Sequence, residues 1–236
     1  ENKKAAPGSI EKRVGDFYAS GMDSLAIEKA GYAPLKADLA KVGSVKTLAD
    51  VLIQAAIMRT EGIGSPMFGF FIGQDRRNVE NMIPQLSQGG TTLPDRDYYL
   101  KNDSRSTGIR DAYKKYMVQL FTLTGVPAAT AEKNAATILR IEKSLAEAQM
   151  SRVEMRDPQK TYNKFSVADF TKTTPAIDWK PLMAKMKVSG QDTLLVNSPE
   201  FFKKLNSLYP QKLKHEKYNH WNVTLFRQRT AITCPG

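Results

Sequence analysis

Two long stretches of helical periodicity, joined by a short break, constrain this chain more than any other feature. In "SRSTGIRDAYKKYMVQLFTLTG", Ile109, Tyr113, Tyr116, Met117, Leu120 and Leu123 share one broad face. In "AATAEKNAATILRIEKSLAEAQMSRVEMRD", Ile138, Ile141, Leu145 and Ala148 form a second stripe, and Pro158 lies just past its end. Gly125 and Pro127 punctuate the turn between them. The pattern predicts helices over 105–124 and 128–154. A connection this short makes them antiparallel neighbours.

Shorter helices surround this pair. Ser9 caps a first one carrying Ile10, Val14, Phe17 and Tyr18, with Gly21 as its stop. "DSLAIEKAG" and "APLKADLAKVG" give two more, the latter with Pro34 near its first turn. Thr47 with Asp50 opens a fourth, whose apolar face is Leu48, Val51, Leu52, Ala55 and Met58. Ser166 with Asp169, the segment around Trp179, and Ser198-Pro199-Glu200 begin the rest. Strand signals are few. "MFGFFIGQD" is rich in aromatic and β-branched residues, "VENMIPQL" pairs with it as a hairpin, and "DTLLVN" is a brief third candidate. Pro84 confines the second strand to a sheet edge. The fold class is mainly α: a multi-helix lobe with a small β-hairpin around residues 67–86.

Composition excludes several function classes. The chain of 236 residues is 41% hydrophobic, enough for one large domain or two small ones. No run approaches the ~18 apolar residues of a membrane span. The first ten residues, "ENKKAAPGSI", lack an apolar signal core, so an export signal is either absent or removed. The net charge of +11 comes from Lys and Arg spread singly, often beside Asp or Glu. That pattern is a solvated basic surface rather than a nucleic-acid stripe. One cysteine, Cys234, rules out an internal disulfide and any Cys-based metal site.

Three stretches invite a chemical reading. "HEKYNH" holds both histidines, His215 and His220, beside Glu216. The helical zinc motif H-E-x-x-H sets its ligands four residues apart, on one face. Here the spacing is five, which turns His220 roughly 140° away from His215. The stretch reads as a chance match. "LPDRDYY" places Asp95 and Asp97 around Arg96, with Tyr98 and Tyr99 following. This is either a carboxylate pair or hard-cation ligand set, or a structural turn over packed tyrosines. The turn is the favoured reading, because Pro94 fixes its entry. Gln88-Gly89-Gly90 is too short for a phosphate loop.

Together, "KRVGDFYASGMD", "FGFFIGQD", "LPDRDYYL", "RDAYKKYMVQLFTLTG", "LRIEKSLAEA" and "EMRDPQKTYNKFS" resemble the N-terminal half of neprilysin-family zinc metallopeptidases, which include the endothelin-converting enzymes. The resemblance covers residues 9–209 and implies a helical lobe that encloses peptide substrates. It implies that zinc, H-E-x-x-H and the second glutamate ligand belong to a catalytic half, and none of those motifs occurs in these residues. No catalytic or metal residue is therefore carried over, and no cofactor is expected in this chain. By the same resemblance, Lys29 and Lys36 in "EKAGYAPLKADL" stand where a substrate carboxylate would be held, though lysine lacks the guanidinium fork. The family also implies a periplasmic or secreted location, peptides as substrate, and either a separate catalytic half or self-association. Residues 210–236 depart from the family pattern, and a reading-frame change or truncation near 209–214 is expected there. The alternative function is a catalytically inactive peptide-binding or interaction module.

Overall fold

The computed structural model describes residues 4–62 and 67–208. The expectations for residues 210–236, including His215, His220 and Cys234, lie outside the described residues.

Residues 10–60 are helical: α1 (Ile10–Met22), α2 (Ser24–Ala30), a 3-10 turn, α3 (Lys36–Gly43) and α4 (Leu48–Thr60). The Ser9 hydroxyl accepts from the Lys12 N–H, as a cap should. Gly21 does not stop α1. The break falls at Asp23, whose carboxylate accepts from Ala26 N–H and starts α2. Thr47 and Asp50 form a reciprocal capping box at α4. That helix buries Val51, Leu52, Ala55 and Met58. By contrast, α1 buries nothing: Ile10, Val14, Phe17 and Tyr18 are all exposed.

The strands go beyond a hairpin. β1 (Phe68–Asp75) and β2 (Asn78–Gln88) pair antiparallel, then β2 meets β4 (Thr193–Val196) in parallel, and β4 meets β3 (Asn163–Ser166). The result is a four-stranded sheet, and β2 is internal rather than an edge. Pro84 is accommodated because the pairing with β4 involves only Gln85 and Leu86. The Leu86 carbonyl accepts from Asn197 N–H, so Leu86 faces β4. By the two-residue alternation Pro84 faces the same side, outside the residues that pair with β4, where no ladder N–H is needed.

The sheet rests on an aromatic cluster. Phe68 of β1, Phe170 of α8 (Val167–Thr173), Trp179 of α9 (Trp179–Lys185) and Phe202 of α10 (Pro199–Leu208) meet at ring-centroid distances of 5.0–5.9 Å. All four are buried, and the Trp179 indole N–H donates to the Thr174 hydroxyl at 2.8 Å. Four separate elements are thus pinned at one point.

α6 (Ser104–Leu123) and α7 (Ala128–Ala148) form the expected antiparallel pair. Their contact buries Tyr113, Met117, Phe121, Ala131, Ala135 and Ile138. α7 ends at Ala148, short of the predicted residue 154. Gln149 is extended, and its side-chain amide donates to Gly89 O (3.0 Å) and Thr91 Oγ1 (3.3 Å). These bonds turn the chain toward the loop after β2 and leave only a 3-10 turn at Glu154–Arg156.

A polar bond ties the tip of the hairpin to β3. Asp75 is fully buried, and its carboxylate accepts from Lys164 Nζ (2.8 Å), Tyr162 Oη (2.8 Å) and Arg77 N–H (3.0 Å). The Lys164 hydrogen bond, then that of Arg77 N–H, holds the Asp75 carboxyl far below its usual range. A carboxyl depressed in the folded state stabilises fully above its ordinary value of about 3.9 and loses that contribution as pH falls below it. Replacing Asp75→Asn should therefore destabilise the protein at pH 7, and the gap from wild type should shrink as pH drops below about 4. Urea midpoints measured across that range check this; a gap independent of pH would show that the carboxylate charge contributes nothing.

Candidate functional site

The loop leaving β2 begins with a close approach. Gly90 has φ of +73°, and a Cβ there would lie 2.7 Å from Met67 O and 2.8 Å from Leu145 Cδ1. Only glycine lets the chain pass between β1 and α7. The loop then runs through Pro94-Asp95-Arg96 into the single-turn helix α5 (Asp97–Leu100).

Here the favoured reading of "LPDRDYY" is what the atoms show. Asp95 Oδ1 accepts from Asp97 N–H at 2.9 Å, a tight turn of the chain onto itself. Asp95 Oδ2 pairs with Arg152 Nε at 2.6 Å, and Asp97 pairs with Lys101 at 2.7 Å. Each carboxylate therefore has its own cation, and neither is poised as an acid or base toward the other. Tyr99 is buried. Its hydroxyl accepts from Thr92 N–H (3.0 Å) and Leu93 N–H (2.8 Å) and donates to Glu142 Oε2 (2.9 Å). Burial first, then the Glu142 carboxylate, pushes the Tyr99 phenol far above its ordinary range, so it stays a neutral donor. Glu142 is itself fully buried on α7 and also accepts from Thr92 Oγ1 (2.8 Å) and Tyr113 Oη (3.1 Å). Sequence reasoning passed over Glu142. Its signal was a charged residue between Ile138, Ile141 and Leu145, on the face that helical spacing turns inward.

Beside this anchor lies a cavity of about 310 Å³ between the loop and the chain that follows α7. Its wall carries Arg96, Arg152 and Arg156. Gln88 fixes one side by exchanging two bonds with the Met150 backbone, at 2.9 and 2.7 Å, and accepting from the Ser198 hydroxyl at 3.0 Å. Arg96 reaches across to the Gln149 carbonyl. Hydrogen bonds from Ser151, backbone and then hydroxyl, hold the Glu154 carboxyl below its usual range, with Lys160 and Arg96 adding to the effect. A second hollow, about 340 Å³, follows the outer edge of β1, where Arg59 caps the Phe70 carbonyl through bonds of 3.1 and 2.9 Å.

Lys29 lies in the last turn of α2 and Lys36 begins α3; both are exposed. Lys36 Nζ sits 5.4 Å from the centre of the Tyr32 ring. Neither residue lines the arginine cavity. Among the described residues there is no group of three His, Cys, Asp or Glu side chains able to hold a metal ion, and no helix long and apolar enough to cross a membrane.

Several known proteins are similar to this chain. The N-terminal model of peptidase family M13 matches residues 1–228. Endothelin-converting enzyme 1 of Bos taurus is 26% identical over 94% of this chain and 31% of its own length. Endothelin-converting enzyme-like 1 of Rattus norvegicus is 26% identical over 92% of this chain and 30% of its own length. The crystal structure of the zinc metalloprotease Zmp1 of Mycobacterium tuberculosis, in complex with an inhibitor, superposes with a TM-score of 0.87 at 25% identity. That match covers 98% of this chain and 35% of the other. PepO from Lactobacillus rhamnosis, at 14% identity and a TM-score of 0.71, supports the fold alone. The chain thus spans less than a third of the length of the curated relatives it matches.

The anchor makes a specific demand on stability. Tyr99→Phe removes one hydroxyl that serves two backbone N–H groups and one buried carboxylate. Leaving such groups unpaired costs about 1–3 kcal/mol, more for a charged one, so the variant should lose roughly 2–4 kcal/mol in urea unfolding. A loss under about 0.5 kcal/mol would show that water or a neighbour replaces the hydroxyl.

Proposed function

Because the chain belongs to peptidase family M13, we propose that it is the non-catalytic, substrate-enclosing part of a neprilysin-like zinc endopeptidase that cleaves peptides. The match of the whole described fold to about a third of a zinc metalloprotease carries this reading. The described residues do not fit a zinc site, since they bring no three ligands together. Zinc-activated attack of water on a peptide bond is assigned to polypeptide outside them. The role of these residues is to limit access to the substrate and close over it. Lys29 and Lys36, exposed and without a carboxylate partner among the described residues, are proposed to attract anionic peptides as point charges. A periplasmic or secreted location goes with the same reading.

The exposed stripe of α1 supports a partner. Ile10 and Phe17 are each 74% exposed, which a helix of a self-sufficient domain would not tolerate. Covering even a few hundred Å² of such surface is worth several kcal/mol at ~25 cal/mol per Å².

Two measurements test the proposal. Residues 1–236 alone should cleave no quenched-fluorescent peptide and bind no stoichiometric zinc. Co-expression with the catalytic portion of an M13 peptidase should give a complex that cleaves the peptide. Activity and zinc in the chain alone, both lost on His215→Ala, would overturn the reading; so would failure to form an active complex with any catalytic portion. In isolation the chain should also self-associate in light scattering, and Val14→Asp with Phe17→Asp should restore a monomer. A monomeric wild type would remove α1 as the partner-facing surface.

A further inference from the structure

The cavity beside the Asp95 loop holds more cationic donors than its own carboxylates use. Asp95 is already satisfied: one oxygen accepts from Asp97 N–H and the other pairs with Arg152 Nε. Glu154 turns one carboxylate oxygen back onto Ser151 N–H and Oγ, each at 2.8 Å. Arg152 spends Nη2 on the Pro94 carbonyl at 3.2 Å. Arg96 gives one nitrogen to the neutral Gln149 carbonyl. The guanidinium of Arg156, exposed at the end of the 3-10 turn, makes no hydrogen bond or ion pair to any described residue. Two guanidinium groups, Arg96 and Arg156, therefore line one cavity, and neither forms an ion pair among the described residues, although Arg96 lies close enough to Glu154 to lower its carboxyl.

We infer that this cavity is a binding site for a carboxylate carried on a short aliphatic stem, held by the guanidinium forks of Arg96 and Arg156. Three observations select that ligand. The planar forks match a carboxylate in bidentate geometry. Met150 and Met155 supply apolar, adaptable wall beside them, which suits an aliphatic stem better than a bare inorganic ion. The volume, about 310 Å³, lies at the small end for ligand pockets and suits one side chain or one small molecule rather than a length of peptide. The walls are built in advance: Gln88 and Gln149 are tied to backbone atoms on both sides of the cavity, so little ordering is lost on binding. The carboxylate has two natural sources, a glutamate side chain of a peptide or a free dicarboxylic acid. The inference does not depend on the peptidase assignment, because every residue it names is among the described residues.

Titration of residues 1–236 at low ionic strength, followed by NMR of the Gln88 and Gln149 side-chain amides, tests it. The probes are N-acetylglutamic acid α-amide, its glutamine counterpart, and succinate. The glutamate probe or succinate should give saturable shifts, and the glutamine probe should not. Arg156→Gln should weaken binding about tenfold with an unchanged unfolding midpoint, since the Arg156 guanidinium makes no hydrogen bond or ion pair to a described residue. Arg156→Lys should fall between, because it keeps the charge and loses the fork. Lys29→Gln should bind as wild type. Raising salt from about 20 to 200 mM should weaken binding, as screening requires. Saturation by both probes assigns the site to carboxylates generally; saturation by one alone assigns it to that source. No saturable shift with either acid, equal shifts with the glutamine probe, or wild-type affinity in Arg156→Gln would each overturn the inference.

Discussion

A buried carboxylate, Glu142, is the point on which the loop and helices of this lobe depend. Three hydroxyls, from Thr92, Tyr99 and Tyr113, donate to it within 3.1 Å. They come from the loop after β2, the helical turn α5 and the helix α6, while Glu142 itself belongs to α7. A charge taken out of water is tolerated only when its hydrogen-bonding capacity is filled, so all four elements must hold their relative positions together. Tyr99 extends the constraint by accepting two backbone N–H groups of the loop. The turn at Asp95 and the cavity beside it inherit their shape from this arrangement.

The sheet side of the protein is set by different physics. Phe68, Phe170, Trp179 and Phe202 are non-polar surface gathered from four elements, with one polar handle satisfied by Thr174. Their packing brings the hairpin, β4 and α10 onto one core with α4. Gln88 links the two sides, because its amide meets the chain after α7 and the hydroxyl preceding α10. Disturbance at the cavity would therefore be felt in the sheet.

This division suits a family whose members are much longer than this chain. The described residues hold a filled polar anchor and a filled aromatic core, yet α1 presents its apolar stripe outward. An outward apolar stripe of this kind is surface that further polypeptide could cover.

Local chemistry was readable from the residues. Periodicity placed α6 and α7, the Thr47 and Asp50 pair placed the start of α4, and a run rich in aromatic and β-branched residues placed β1. Each depends on neighbours within a few positions, and so does the reading of "LPDRDYY" as a turn. The end of α7 was not readable, since Gln149 leaves the helix for partners about 60 residues earlier in the chain. Nor was the internal place of β2, because pairing with β4 joins strands more than 100 residues apart. Pro84 forbids only a ladder N–H, and tertiary structure decided that none was required there. The arginine cavity is of the same kind: Arg96 and Arg156 come from separate segments, and a sequence shows which charges exist but not which of them folding leaves unpaired.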